Sequence, residues 1–325
     1  VLLIAGGVVG SVLGTRANAP ERQVEAYLSA LVDGEAEDAL ELSGAETGDA
    51  GVLLTDEVYG EVEDRISGYT IGESTVSGDR AEVSASITQG DEEYDATFTL
   101  EKAGKAFVVF DTWRLQAPEL GVVSYTVSAP EGTAVAVSGV DTTDLAPGDG
   151  GAVELPALPG TYTVALAGES DVFAAEPLTA SVVGFGADAV TTTNAAGEEA
   201  NALTVTLTDT AVSAGEDAVD AYLDGCAAST ELRPEGCPFS AQGETEGFEY
   251  SNCVWTLDPR PTFAIGEFDG SEWEVTTESS GSAALECDVR DPSTGGTGTA
   301  TAGPMDVEVG GAITAFGEDG ATYVP

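Results

Sequence analysis

Hydrophobic spacing divides the chain into stretches of helical and of strand period. Val24, Tyr27, Leu28, Leu31 and Val32 recur at offsets of three, four, seven and eight, which puts them on one face of a helix. A second helix is predicted over 36–42, and a third runs from a cap at Thr55 through Val58, Val62 and Ile66. From Tyr69 the period falls to two, predicting strands near 70–77, 80–89, 93–102 and 106–115, broken at Gly78-Asp79, Gly90-Asp91 and Ala103-Gly104. Helices followed by an antiparallel meander predict an α+β domain over 20–117, with Pro118 marking its end.

The next stretch has no helical period. Val123, Tyr125 and Val127 alternate with polar residues, as do Tyr162, Val164 and Leu166, and then Leu203, Val205 and Leu207. Short strands punctuated by Pro147-Gly148 and Pro159-Gly160 predict a small β-sandwich over 118–210. The last segment, 213–325, reopens the first pattern: Val219, Tyr222, Leu223, Cys226 and Ala227 repeat the offsets of the opening helix, with Ser213 and Glu216 as a capping box. Strands near 246–257, 262–268, 272–279, 283–289, 297–302, 305–314 and 320–325 then complete a second α+β domain of the same kind.

Residues 1–14 are apolar, shorter than the roughly 20 residues that cross a bilayer. Because the chain begins with Val, the segment is expected to be the outer end of a longer span, with 1–19 forming anchor and linker. Its four glycines suit a membrane helix better than a soluble one. A cleavable signal is the alternative, since Ala17-Asn18-Ala19 has the small-residue spacing of a cleavage site. Pro20 would follow that cut directly, which favours the uncleaved anchor.

Charge narrows the choice of partner. The 58 acidic against 10 basic residues give a net charge of -48, which repels nucleic-acid phosphates and anionic headgroups. With no histidine there is neither a Ser-His-Asp or Cys-His unit nor His-ligated zinc. Cys226, Cys237, Cys253 and Cys287 lack metal-ligand spacing, and their even number in an exported chain predicts two disulfides. Three pairings are open; Cys226 with Cys237 and Cys253 with Cys287 is the favoured one.

A resemblance adds to this reading. Pro130-Glu131-Gly132-Thr133 followed by Val135 and Val137, and Leu158-Pro159-Gly160-Thr161-Tyr162-Thr163-Val164, resemble the PEGA-type surface β-domain, which implies a non-catalytic spacer or adhesion module. A helix and curved sheet present twice resemble nuclear-transport-factor-like (cystatin-like) cones. The combination is similar to actinobacterial membrane-anchored proteins and, distantly, to the teicoplanin-resistance-associated membrane protein family.

Cones of that superfamily include isomerases and dehydratases that use an internal carboxylate, and the residue that fits such a place is Asp111. Strict alternation sets it on the face of Phe107, Val109, Trp113 and Leu115, where an apolar setting would raise its pKa and suit it to act as a base. The alternative is a bulge or strand end that lets it reach solvent. Asp141, Asp144 and Asp149 have oxygen chemistry for calcium without EF-hand spacing, and read as a solvated loop. Asp291-Pro292-Ser293-Thr294-Gly295-Gly296 lacks the lysine and following helix of a phosphate loop. Trp113, Trp255 and Trp273 fall in strands and read as core.

The sequence therefore predicts a multidomain α+β and all-β chain, two cones flanking a sandwich after an N-terminal membrane helix. The expected role is a non-catalytic, cofactor-free binding or structural module of the bacterial envelope, on the outer side of the plasma membrane. Its expected partners are a cell-wall component or another envelope protein, the membrane through the anchor, and no nucleic acid. The alternatives are a small-ligand enzyme using a cone carboxylate, and the ectodomain of an envelope sensor.

Overall fold

A computed structural model describes residues 19–48, 50–106, 110–243, 247–317 and 320–325. The apolar run at 1–14, expected as an anchor, lies outside them, and so do Phe107 and Val109; among the described residues no helix is long and apolar enough to cross a membrane. The fold is mostly β with few helices and several sheets. Two compact units result. One takes the described residues up to Val127 with Gly132–Gly168 and Ala175–Thr204; the other takes Ser128–Glu131, Glu169–Ala174 and Val205–Pro325.

The first unit opens with helices α1 (Pro20–Asp33), α2 (Ala36–Ser43) and α3 (Asp56–Glu61). The face expected of α1 is the buried one, with Val24, Tyr27, Leu28 and Leu31 inaccessible. Gly34 and Gly44 end α1 and α2 in the left-handed conformation that glycine adopts without penalty. The Asp56 carboxylate accepts the Glu37 N–H at 2.8 Å, tying the start of α2 to α3. Thr55 caps α3 as expected, accepting the Val58 N–H at 3.3 Å, but α3 stops at Glu61 rather than continuing to Ile66. There the Glu63 carbonyl accepts the Thr161 N–H, so tertiary pairing draws the chain out of the helix.

Ile66 instead begins β1 (Ile66–Ser77), followed by β2 (Arg80–Gln89), β3 (Glu92–Ala106) and β4 (Phe110–Leu115) in the antiparallel order β1-β2-β3-β4. Alternate residues of β2, from Ala81 to Ile87, face the helices and are buried.

Nine short strands continue the chain: β5 (Gly121–Ser128), β6 (Val135–Val137), β7 (Val140–Asp141), β8 (Val153–Ala157), β9 (Gly160–Leu166), β10 (Phe173–Ala175), β11 (Leu178–Val182), β12 (Val190–Thr193) and β13 (Ala202–Leu207). They form two sheets, β10-β13-β5-β8 and β12-β11-β9-β6-β7. The sheets face one another closely: a Cβ on Gly121 of β5 would meet Val182 of β11 at 2.5 Å and Val190 of β12 at 3.0 Å.

Within the first unit the sandwich-like sheets and the helix-backed sheet share one hydrophobic cluster, running from Val24 to Leu203. Polar contacts hold the seam, those of Gln89 and Tyr59 buried and that of Thr161 exposed. Gln89 Nε2 donates to the Val182 carbonyl at 2.6 Å while its Oε1 accepts the Gly184 N–H at 3.0 Å. Tyr59 donates to the Pro159 carbonyl at 3.2 Å, and Thr161 Oγ1 to Asp64 at 3.1 Å. Gly160 lies against Val62 so closely that a Cβ would collide with it.

In the second unit, α4 (Asp209–Ala227) starts at a Thr208 cap that accepts the Ala211 N–H at 3.2 Å. The expected capping box at Ser213 and Glu216 is therefore inside the helix: strand β13 runs straight into Thr208, so the helix begins a turn early. Seven strands follow: β14 (Glu249–Leu257), β15 (Thr262–Phe268), β16 (Trp273–Ser279), β17 (Gly281–Arg290), β18 (Thr297–Val307), β19 (Gly310–Gly317) and β20 (Gly320–Val324). They pair as β14-β17-β18 and β15-β16-β19-β20.

Those two sheets are the arms of one meander bent across its middle. β14 continues into β15, β16 into β17 and β18 into β19, with the breaks at 258–261, 280 and 308–309, and each chain keeps the same neighbour in both arms. Hydrogen bonds carry the pairing round the corner: Asp258 N–H to Ser282 O and Ser282 N–H to Pro259 O, both 2.8 Å. Thr277 Oγ1 bonds the Val309 N–H and carbonyl at 2.7 Å. β18 also runs through the break expected between 302 and 305, because Gly303 and Pro304 together oppose Ala284 as a bulge, where a missing N–H is tolerated.

The core divides with the sheet. Cys226, Phe239, Trp255 and Leu285 pack under one arm; Val219, Leu223, Trp273 and Ile313 pack under the other. Disulfides join Cys226 to Cys237 and Cys253 to Cys287, the favoured pairing.

Candidate binding groove at the β4 edge

An open groove of about 890 Å³ lies in the first unit between α2 and the last strands of the meander. Leu42, Trp113 and Leu115 give it apolar walls, and Asp38, Glu41 and Glu101 give it carboxylates. Helix α2 puts Asp38 and Glu41 one turn apart on its outer side, and the buried Ser43 Oγ bonds the Leu40 carbonyl at 3.1 Å beside them. Neither Asp38 nor Glu41 has a basic partner among the described residues. Glu101 is differently placed: Arg114 is its cross-strand neighbour, and Arg80 lies 4.0 Å away.

Lining residues 113–117 are consecutive. Since Trp113 and Leu115 face the helices while Arg114 faces the other way, the groove follows the rim of β4 and not one face of the sheet.

Asp111 lies one step beyond Trp113 on the same face and is not among the groove-lining residues. Its side chain is 37% exposed, and Oδ2 is 2.9 Å from Lys102 Nζ. Oδ1 is buried with no partner among the described residues. The Asp111 carboxylate, with Asp79 at 3.7 Å, holds the Lys102 ammonium above the usual lysine range. The register shifts between Lys102 and Gly104, and this bulge in β3 accompanies the ion pair. Asp111, Lys102 and Asp79 thus form a small surface charge cluster, two carboxylates sharing one ammonium.

The other candidates fall into structural roles. Trp113, Trp255 and Trp273 are 8, 4 and 2% exposed, as expected of core residues. Asp141 Oδ1 is occupied by Thr143, through its N–H at 2.9 Å and its hydroxyl at 2.5 Å; both hold the Asp141 carboxyl below its usual range. Ser293 and Thr294 bond Asp291 in the same way and bring its pKa down to about 2. Among the described residues no group of acids and cysteines is arranged to hold a metal. In the second unit a cavity of about 590 Å³ lies beside the Cys253–Cys287 bridge, walled by Leu232, Phe248, Leu285 and Ala302, with Gln242 and Thr301 at its margin.

Comparison with known proteins adds no family to this picture: no family model, no curated protein and no solved structure matches the chain.

Sequence reasoning missed the groove. Asp38, Glu41 and Leu42 are legible as an amphipathic helix, but their meeting with Trp113 depends on β4 being the outermost strand, and no local pattern encodes strand order.

Proposed function

We propose that the chain is an extracytoplasmic binding or structural module of a bacterial envelope, non-catalytic, held at the plasma membrane by the apolar segment at 1–14. On this reading each helix-plus-meander is a nuclear-transport-factor-like cone, and the strands between them are a PEGA-like sandwich. The observation that carries the reading is the pair of disulfides in the second unit, since such bonds persist in oxidising, exported settings. The absence of histidine and the charge of -48 favour binding over the common hydrolytic chemistries and disfavour nucleic acid as partner. The engagement of Asp111 by Lys102, which Asp79 also approaches, supports a non-catalytic role. Co-sedimentation of oxidised residues 20–325 with cell-wall sacculi and with membrane vesicles tests it. Saturable retention on sacculi is the expected result; retention on neither overturns the wall-binding form of the proposal.

A further inference from the structure

We infer that the chain forms a two-fold dimer by antiparallel pairing of β18 with β18 of a second copy. In the bent meander of the second unit β20 covers β19, whereas β18 in the other arm has β17 as its one strand neighbour. The Asp291 N–H donates to the Gly296 carbonyl at 2.9 Å, and from there the pairing keeps one register from Arg290 with Thr297 to Leu285 with Ala302. Bonded and open pairs alternate along it, so Gly298, Ala300 and Ala302 turn their N–H and C=O to β17, and Thr297, Thr299 and Thr301 turn theirs away. These three threonines are exposed, and among the described residues no hydrogen bond outside the β17–β18 ladder reaches their backbone. The cavity beside the Cys253–Cys287 bridge is lined by the consecutive residues 300–303, so open space extends to the rim of the strand.

An open edge is a template for pairing unless a charge, a bulge or a proline blunts it. β14, at the opposite edge of the same arm, has a bulge between Ser251 and Val254 and carries Glu249. β18 has no such device over 297–302: no ionisable side chain falls between Asp291 and Asp306, and the bulge and proline come later, at Gly303 and Pro304. An equally uncharged edge fits it, and a second copy supplies one. A two-fold axis at Thr299 sets Thr299 opposite its counterpart and Thr297 opposite Thr301, giving three bonded pairs of two hydrogen bonds each, about six in all. The threonines then meet in cross-strand pairs, which stabilise a sheet. Charge agrees with this register. Arg290 lies beside Thr297 and Glu286 beside Thr301, so Arg290 of each copy falls in one row with Glu286 of the other, about 14 Å away at three strand spacings. In the central row alone, Asp288 lines up with its own counterpart. The pairing also gives this arm the fourth strand that β20 already gives the other.

Sedimentation of the full, oxidised chain over a range of concentrations measures the association, and salt separates this edge from a contact made by opposite charges. Two chains of net charge -48 repel one another, and salt screens that repulsion, so the dimer is expected to strengthen at least tenfold from low to high salt. Hydrogen exchange identifies the edge. The amides of Thr297, Thr299 and Thr301 should slow tenfold or more on dimerisation, while those of Gly298, Ala300 and Ala302, already bonded to β17, change little. Thr299→Glu brings two carboxylates together on the axis from an exposed position, and is expected to weaken the dimer tenfold or more while leaving thermal unfolding in place. Thr299→Ser keeps the edge uncharged and should leave dimerisation as it was. A chain that stays monomeric in high salt at about millimolar concentration, a dimer that weakens as salt is added, a dimer in which those three amides exchange as before, or one indifferent to Thr299→Glu would overturn the proposal.

Discussion

The helix-backed sheets of the two units start from the same pattern and stabilise it differently. In both, a helix buries the offsets zero, four and seven of its apolar stripe, Val24, Leu28 and Leu31 in one, Val219, Leu223 and Cys226 in the other, against an antiparallel meander. In the first unit the strands are bulged in β1 and β3 but not split into two sheets, and the sandwich-like sheets extend the same core, giving one continuous cluster. In the second unit the meander bends at three aligned breaks and the core splits into two small clusters, one of them containing three of the four bridged cysteines as buried members. A small core supplies little net stability, and covalent links compensate by limiting the unfolded chain. A folded sheet can therefore be kept at the cost of its continuous core where disulfides are available.

The largest effect is expected in the first unit. Tyr162 is fully buried and donates to the Leu158 carbonyl at 2.9 Å at the seam. Tyr162→Ala should cost about 3–5 kcal/mol. If the cluster is continuous, amide protection in β2 falls together with that in β9, while β16 and β19 keep theirs; separate losses in β9 and β2 would break the comparison.

Gln89→Leu removes the side chain that serves both the Val182 carbonyl and the Gly184 N–H. Leaving those buried groups unpaired should cost roughly 2–3 kcal/mol, read from denaturant midpoints. A cost near zero would show that the seam is held by apolar contact alone.

Gly281→Ala probes the bend of the second unit. Its Cβ would meet Pro261 N at 2.5 Å and Pro259 O at 2.7 Å, backbone atoms that have little room to move. The expected cost is about 1–3 kcal/mol, confined to unfolding of the second unit. The same change at Gly78, where nothing lies within 4 Å of a Cβ, meets only the cost of a φ of 66°, a cost that Gly281 does not carry.

Smaller again is the response to alkali, and here the two units should behave alike. Burial pushes Tyr94 in the first unit and Tyr323 in the second up to about 12. Each folded value exceeds the unfolded one of about 10, so the stabilisation is complete below pH ~10 and is lost as pH rises through about 12. Tyrosine absorbance should give titration midpoints near 12 for both, against about 10 in denaturant; a midpoint near 10 in native protein would place these phenols in water.

Much of this was legible in the sequence, for identifiable reasons. The stripe on α1 is a strong 3.6-residue signal, and β2 alternates cleanly between the turn glycines Gly78 and Gly90, whereas Ala103-Gly104, expected as a turn, lies inside β3 as a bulge. What stayed hidden is non-local. Val62 and Ile66 continue the helical spacing of α3, yet pairing of Glu63 with Thr161 a hundred residues on redirects the chain. Likewise Pro304 reads as a strand end until the bulge opposite Ala284 is known. The groove shares this origin, since its members come from α1, α2, β3 and β4 and carry no common motif.

Hydrogen exchange of the full chain before and after reduction shows whether the bridges hold the second unit. Closing loops of 11 and 34 residues should stabilise the second unit by roughly 3 and 4 kcal/mol. Reduction is therefore expected to speed exchange strongly across β14–β20, with β1–β4 keeping their protection. Protection in β14 and β17 that survives reduction, or loss of equal size in β1–β4, would show that the disulfides do not stand in for a continuous core.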